Sequence, residues 1–453
     1  MRSAVSHNRV TGLADVVPFR GIRYNRRKVS DLSLVISPPY DIISPAEQQS
    51  YHSKHSHNAI HLDYGLELPG DDNQNNRYTR AAEAFSEWQT GKILTPDPAP
   101  AFYLCREEFR LGDGTTATRD GFIALIRLAD FSEGVVLPHE ETASGPKEDR
   151  LRLMQATGAN LSAIFCLYAD PGQTVIKSLA KAGAEDPDIR IKDEAGTVHS
   201  LWVVDDPVAT SSISEMLSNK NLLIADGHHR YETALAYRDA RRAEDGPGPE
   251  KPYDYLMVYL SDMENTGQSI LPIHRFVSGI KTETMDKLEA SLSEKFQVIE
   301  ITGSAAERQK KMVNALAEAG DGHNVFGMYL PGQDSCHLLT GRETRPMIDA
   351  GETGRSASFR SLDIAVLDRL ILGDILGIRQ DGPNQSAKVR FVERTEKALG
   401  ELDTPGLDVV FMVNATSMEE IRAVAGNGEK MPQKSTYFYP KPVTGLVFRS
   451  FDY

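Results

Sequence analysis

The sequence predicts a mixed α/β protein, α+β in character, built from more than one domain. Short apolar runs with strand composition alternate with segments of helical periodicity along the whole chain. Turn signals rich in Gly, Pro, Asn and Asp punctuate them. The 453 residues exceed the ~250–300 at which a single core stops growing. Composition and turn signals place the segments at 1–95, 96–278 and 279–453, and no repeat of ~20–50 residues is present.

Taken in order, 34–43 (LVISPPYDII) reads as a short buried strand that Pro38-Pro39 break, because proline has no N–H for a ladder. Residues 70–76 are a loop, 78–88 a helix, and 95–101 a Pro-rich connector. Two strands, 101–109 and 121–128, flank a hairpin turn carrying Asp113-Gly114. A helix over 147–156, a Gly-Ala-Asn stop, a buried strand over 162–168 and a helix over 173–182 follow. Next come a strand at 199–206, a short helix within 211–221, and a strand, tight loop and helix over 221–242. Residues 244–252 are a loop and 253–263 a strong strand. Beyond it, 280–320 alternates helical patterns around a strand at 296–301. The pieces 324–331 and 336–340 form a hairpin. A single amphipathic helix covers 361–378, a strand 408–415, and a capped helix 417–428. The chain closes with a loop and a terminal strand.

Fifty Lys+Arg against 64 Asp+Glu leave a formal net charge of −14. That excess of acid weighs against a nucleic-acid partner, which needs clustered cations for its phosphates; a small basic pocket stays open. Cys105, Cys166 and Cys336 are widely spaced, with no C-x-x-C pair, so neither a structural zinc nor a disulfide framework is expected. Cys105 and Cys166 sit in apolar strand patterns and read as core residues. The opening residues carry no apolar signal region, and no run approaches ~18 apolar residues. The expectation is a cytoplasmic protein without a membrane partner; nothing sets an oligomeric state.

The most informative segment is LLIADGHHRYETAL (222–235). An apolar strand runs into Asp226-Gly227-His228-His229-Arg230, and a helix follows. Gly227 permits positive φ or close approach of a ligand. Amides at the helix N-terminus, two His and one Arg suit an anion such as phosphate. Asp226 can hold a metal or orient a hydroxyl; it can also be a plain N-cap.

A second segment is VVLPHEETASGPKEDR (135–150). Here His139-Glu140-Glu141 precede a helix opened by Lys147, Asp149 and Arg150. A Glu at this point can act as a general base, and Lys147 and Arg150 can grip phosphate oxygens. A solvated loop with a charged first turn is the plainer alternative. Ala143 stands four residues after His139, so the segment is not HExxH.

The third, GEKMPQKSTYFYPK (428–441), gathers Lys430, Lys434, Lys441, Ser435 and Thr436 among aromatic rings. It lacks the glycine frame of a P-loop. A phosphate- or substrate-binding loop and an aromatic packing plug carry similar weight. In SPPYDIIS (37–44), Tyr40-Asp41 form a fixed turn and a candidate pocket wall. Adjacent His228 and His229 point apart on any regular element, which disfavours a transition-metal site.

Together, SPPYDIIS, the LPHEET to NLSAIF run, IADGHHRYETAL and KMPQKSTYFYPK resemble the bacterial and archaeal domain-of-unknown-function 1015 family over nearly the whole chain. The Asp226–Arg230 loop is also similar to that of the ParB/sulfiredoxin-like superfamily, where it binds nucleotide phosphates. The resemblance implies a ParB/sulfiredoxin-like core with large N- and C-terminal α/β additions. Free serine kinases of that superfamily carry the same loop with an upstream glutamate proposed as catalytic base; here Glu140 is the match. The helix-turn-helix half of DNA-partitioning ParB proteins has no counterpart, and the chain is longer than those kinases.

The resemblance implies a phosphotransferase acting on a small hydroxyl substrate, free L-serine first. Its partners would be that metabolite and ATP, ADP or pyrophosphate with Mg²⁺. Glu140, Asp226 and His228 are the candidate catalytic residues. His139, Lys147, Arg150, Gly227, His229, Arg230, Lys434, Ser435 and Thr436 are candidates for phosphate or substrate. A nucleotide-binding switch without turnover is the first alternative, and a phosphohydrolase or nuclease the second.

Overall fold

The computed structural model describes residues 14–112, 114–142, 144–318, 322–345, 347–349, 354–379, 384 and 387–452. Asp113 of the expected hairpin turn lies outside them. The chain divides into two compact units: Met1–Pro138, Thr142–Gln268 and Pro440–Tyr453 form the first, and His139–Glu141 with Ser269–Tyr439 the second. The expected mixed α/β class is what the structure has.

The first unit is built on a nine-stranded sheet. Its strands are β1 (Val16–Val17), β2 (Phe102–Arg110), β3 (Thr116–Arg127), β4 (Val136–Leu137), β5 (Ile164–Tyr168), β6 (Ile189–Lys192), β7 (Val198–Val204), β8 (Leu222–Asp226) and β9 (Tyr255–Asp262). The order is β4-β8-β5-β9-β3-β2-β7-β6, with β1 on β3. Strands β5 and β9 run parallel, as do β4 and β8, while β8 and β5 are antiparallel. Alternation sorts the side chains. Phe122, Ile164, Cys166, Ile224 and Val258 share the apolar core on one face.

The other face is charged inside. Arg119, fully buried, lies over the rings of Phe165 (4.7 Å) and Tyr259 (5.4 Å) and pairs with Glu107 at 2.6 Å. Its guanidinium also donates to the carbonyl of Pro440, where the C-terminal tail returns. Helices α1 (Arg77–Thr90), α2 (Ser144–Thr157), α3 (Thr174–Ala182), α4 (Pro207–Leu217) and α5 (His228–Asp245) are among those of this unit. The Asn76 side chain caps α1 by accepting from the amides of Tyr78 and Thr79. All three cysteines are buried, as the apolar strand patterns of two of them predict.

Three local expectations differ. Residues 34–43 form no strand: two 3₁₀ turns, Leu32–Leu34 and Tyr40–Ile42, bracket Pro38-Pro39, and Ser37 alone bridges to Thr444. The Asn58 amide takes up the carbonyls of Leu34 (2.8 Å) and Ile36 (3.1 Å) that a neighbouring strand would have used. Helix α4 starts at Pro207, capped by Asp206, because proline at the first helical position needs no N–H partner. The amphipathic run at 361–378 is a short α-helix, Asp363–Val366, continued by a π-helix, Leu367–Ile375.

The second unit has a six-stranded antiparallel sheet. It comprises β10 (Ile273–Ser278), β11 (Phe296–Thr302), β12 (Val325–Tyr329), β13 (Ser335–Gly341), β14 (Lys388–Glu393) and β15 (Val409–Met412), in the order β11-β13-β12-β15-β10-β14. Helices α6 (Leu288–Lys295), α7 (Ala305–Glu318) and α8 (Met418–Gly426) belong to it. Ser417 and Glu420 close a capping box on α8. Phe276, Met312, Val325, Val410 and Met412 make its core.

On β10, His274 is fully buried, and its Nδ1 accepts the Val413 amide at 3.2 Å. Burial, with Arg275 beside it, lowers its pKa from 6.5 to about 4. The unfolded chain therefore binds a proton between those values that the folded unit refuses. The stability this group contributes is present above pH 6.5 and is lost as pH falls towards 4. The protection factors of the β10 amides, corrected for the intrinsic exchange rate at each pH, should fall over that window, by up to about 1.4 kcal/mol of opening free energy per pH unit. His274→Gln should flatten the slope.

Candidate functional site

In the first unit the site grows from the end of β8. The pairing of β8 with β5 slips there: Ile224 faces Cys166, but Asp226 faces Phe165. The extra residue is a β-bulge, and it turns Asp226 from the apolar face to the charged one. Gly227 follows at φ 93° and caps an 18-residue helix without offering a side chain. A Cβ here would lie 2.8 Å from Cγ2 of Ile164, so both conformation and space require glycine. His228 is buried and His229 half-buried in the first turn of α5.

Asp226 holds two cations. Oδ2 accepts from Nη2 of Arg230 at 2.9 Å, and Oδ1 accepts from the ammonium of Lys441. Lys441 also donates to Oδ2 of Asp41 at 2.6 Å. Asp41 stands in the turn that Pro38-Pro39 set up. Burial opposes the charge of Lys441, but the two carboxylates outweigh it, and the pKa rises above that of an ordinary lysine. Arg230 behaves alike, with burial outweighed by Asp226 first and Asp41 next.

The alternation of charge continues. Nη1 of Arg230 donates to the Ala163 carbonyl at 2.8 Å and to Ser162 Oγ at 3.3 Å. Ser162 Oγ donates to Asp63 Oδ1 at 3.3 Å, and Asp63 binds Arg150 through its carbonyl at 2.8 Å. Arg150 lies 3.9 Å over the Tyr40 ring and pairs with Asp149 at 2.6 Å. Burial pushes the Tyr40 hydroxyl up to about 12. Asp149 in turn takes Arg77 at 2.6 Å and the Tyr78 hydroxyl at 2.7 Å. Lys147 stands apart, bound to Glu232 at 2.6 Å and Thr142 at 3.1 Å. A network of this kind organises a site more than it stabilises a fold, since desolvation consumes most of the Coulombic gain.

In the second unit, two of the segments singled out above meet. Glu140 bridges Met431, and its carboxylate accepts from the Lys434 amide (Oε1, 2.9 Å) and the Ser435 amide (Oε2, 3.3 Å). Lys434 has φ 59°, a left-handed conformation that aims successive N–H groups into one hollow. His139 is fully buried; its Nε2 lies 2.8 Å from Thr436 Oγ1, and its ring packs edge-on against Phe438. Ser435 is buried and donates to the Pro432 carbonyl at 2.6 Å. The arrangement fixes the direction of the Glu140 carboxylate through backbone donors.

The family described as "Protein of unknown function (DUF1015)" matches residues 16–365. The chain belongs to it. No curated protein matches. Among solved structures, a conserved hypothetical protein from Pyrococcus furiosus is similar at 15% identity, covering 70% of this DUF1015 chain and 90% of that one, with a TM-score of 0.33. A mutant of free serine kinase in complex with ADP is similar at 15% identity, with 72% and 91% covered and a TM-score of 0.36. A C-terminally truncated SbnI from Staphylococcus aureus follows at 13% identity, with 72% and 86% covered and a TM-score of 0.34.

Asp41, Asp63 and Lys441 belong to this network but not to the candidate catalytic and binding residues, and the same is true of Tyr40, Arg77, Tyr78, Asp149 and Ser162. Asp41 and Lys441 carried a signal, a charged residue beside prolines whose fixed φ presets the turn. Asp63, in a short helical turn, carried none. Among the described residues no group of three or more His, Cys, Asp or Glu forms a metal cage, and no helix is long and apolar enough to cross a membrane.

Two predictions follow from this geometry. Gly227→Ala should cost at least about 1–2 kcal/mol from the left-handed backbone alone, read as a lower urea midpoint, with the contact on Ile164 adding to it. Lys441→Met leaves Asp41 and Asp226 without their shared cation, and should cost about 3–5 kcal/mol in the same measurement. Neutralising both carboxylates as well (Asp41→Asn, Asp226→Asn) should recover part of that loss.

Proposed function

We propose that this protein is a phosphotransferase that phosphorylates the hydroxyl of a small metabolite, with free L-serine as acceptor and a nucleotide or pyrophosphate as donor. The observation that carries this reading is the end of β8. There a glycine without room for a Cβ opens a long helix, beside two cations kept charged by Asp226. Amides at a helix N-terminus favour a phosphate, and Arg230 and Lys441 add fixed positive charge.

In this reading the acceptor oxygen attacks the transferring phosphorus as the bond to the departing phosphate breaks. Glu140 takes the hydroxyl proton. Its two backbone donors hold the carboxylate in one orientation, which suits a base that must meet one hydroxyl. His228, His229 and Arg230 hold the transferring group. Asp226 fixes Arg230 and Lys441 so that no reorganisation is needed during transfer. Lys147, Arg150 and Lys434 are assigned to outer phosphates; Arg150 acts by positioning, since Asp63, Asp149 and Tyr40 already occupy it. Mg²⁺ would enter with the donor's phosphates, held by their oxygens, and would neutralise their charge; both Asp226 oxygens are taken by Arg230 and Lys441.

Incubating the intact protein with L-serine and ATP, ADP or pyrophosphate tests the reading. Phosphoserine, detected by ³¹P NMR, is the expected product. Glu140→Gln and Asp226→Ala should each lower turnover by about 10²–10⁴-fold with an unchanged circular dichroism spectrum; wild-type turnover in either sinks the mechanism. Nucleotide binding without serine-dependent product would support a binding switch instead.

A further inference from the structure

The second unit holds a cavity of about 590 Å³ that shares no residue with the clusters above. It lies where the segment leading into α6 faces strands β11, β12 and β13. Four carboxylates line it: Asp286 and Glu289 from the helical side, Glu300 from β11, and Asp408 ahead of β15. No Lys or Arg lines it, and among the described residues none of the four carboxylates is in an ion pair. Asp408 accepts the Ile280 amide at 2.8 Å, which holds its side chain in place.

A second observation points to a ligand. His337, also in the lining, is 9% exposed, and its Nδ1 is buried without a hydrogen-bond partner. Cross-strand register sets it between Glu300 on β11 and Met328 on β12, so the three side chains share one face of the sheet. A buried ring nitrogen left unbonded costs free energy that a polar ligand would recover.

The spread of the charge selects the ligand. A bare metal ion needs its oxygen ligands gathered at one point, and no group of three or more His, Cys, Asp or Glu meets that condition among the described residues. Adjacent strands stand ~4.8 Å apart, so Glu300 and Met328 are separated by ~10 Å across the sheet. Leu288, Val298, Met328 and Leu330 are the apolar part of the same lining. The complement is a chain of methylenes with ammonium groups at intervals. The volume falls within the ~300–1,000 Å³ common for small-molecule sites.

We propose that this cavity binds a linear di- or polyamine, with its ammonium groups on Asp286, Glu289, Glu300 and Asp408 and its methylenes on the apolar floor. The proposal is independent of the phosphotransfer reading, since it concerns binding alone.

Calorimetric titration of the intact protein with spermidine, putrescine, n-butylamine and MgCl₂ tests it. Spermidine should bind one to one, at least about tenfold more tightly than n-butylamine, and more weakly as salt rises. The pair Glu289→Gln with Glu300→Gln should weaken spermidine by about tenfold or more while leaving the melting temperature unchanged. Hydrogen exchange of the unmodified protein is the second measurement: spermidine should protect β11 and β13. No binding, equal affinity in the double variant, absence of that protection, or displacement of spermidine by equimolar Mg²⁺ would each overturn the proposal.

Discussion

The ammonium of Lys441 between Asp226 and Asp41 is the contact on which the first unit's site depends. It joins three stretches of chain that sequence alone keeps far apart: a turn near the start, the end of a central strand, and the returning tail. Each carboxylate alone beside apolar strands would be costly to keep ionised, and the lysine alone costlier still. Together they leave a buried, balanced cluster from which the alternation runs on through Arg230, Ser162, Asp63 and Arg150.

Local backbone features aim that cluster. The bulge before Asp226 moves its side chain across the sheet, and Gly227 turns the chain straight into α5. In the second unit the left-handed Lys434 does comparable work, presenting two amides to one carboxylate. Gly227 takes its positive φ without strain, whereas at Lys434 the left-handed conformation is held by the hydrogen bonds around it.

Much of the fold was legible in the sequence because its signals are local. The helix at 77–90 shows its apolar spacing, and the strands at 102–110, 116–127 and 255–262 show their composition. The capping box of Ser417 and Glu420 can be read from four residues. What failed needed a partner elsewhere. Residues 34–43 have strand composition, yet Asn58 takes the carbonyls a strand would offer. The π-helix at 367–375 has an ordinary amphipathic pattern, and nothing in it announces the wider turn.

The sequence by itself determined which residue types are the candidates for chemistry and the local shape they take: a glycine after Asp226, prolines before Tyr40 and around Lys441, a glutamate after His139. These are properties of short segments, written in φ preference, hydrogen-bonding capacity and charge. Only the tertiary structure decided which charges meet. Lys441 went to Asp226 and Asp41, Arg150 to Asp63, and Glu140 to the amides of Lys434 and Ser435. Pairing between segments 87 to 400 residues apart is set by strand order, a one-residue slip of register and the return of the tail, none of which has a signature in any single stretch of chain.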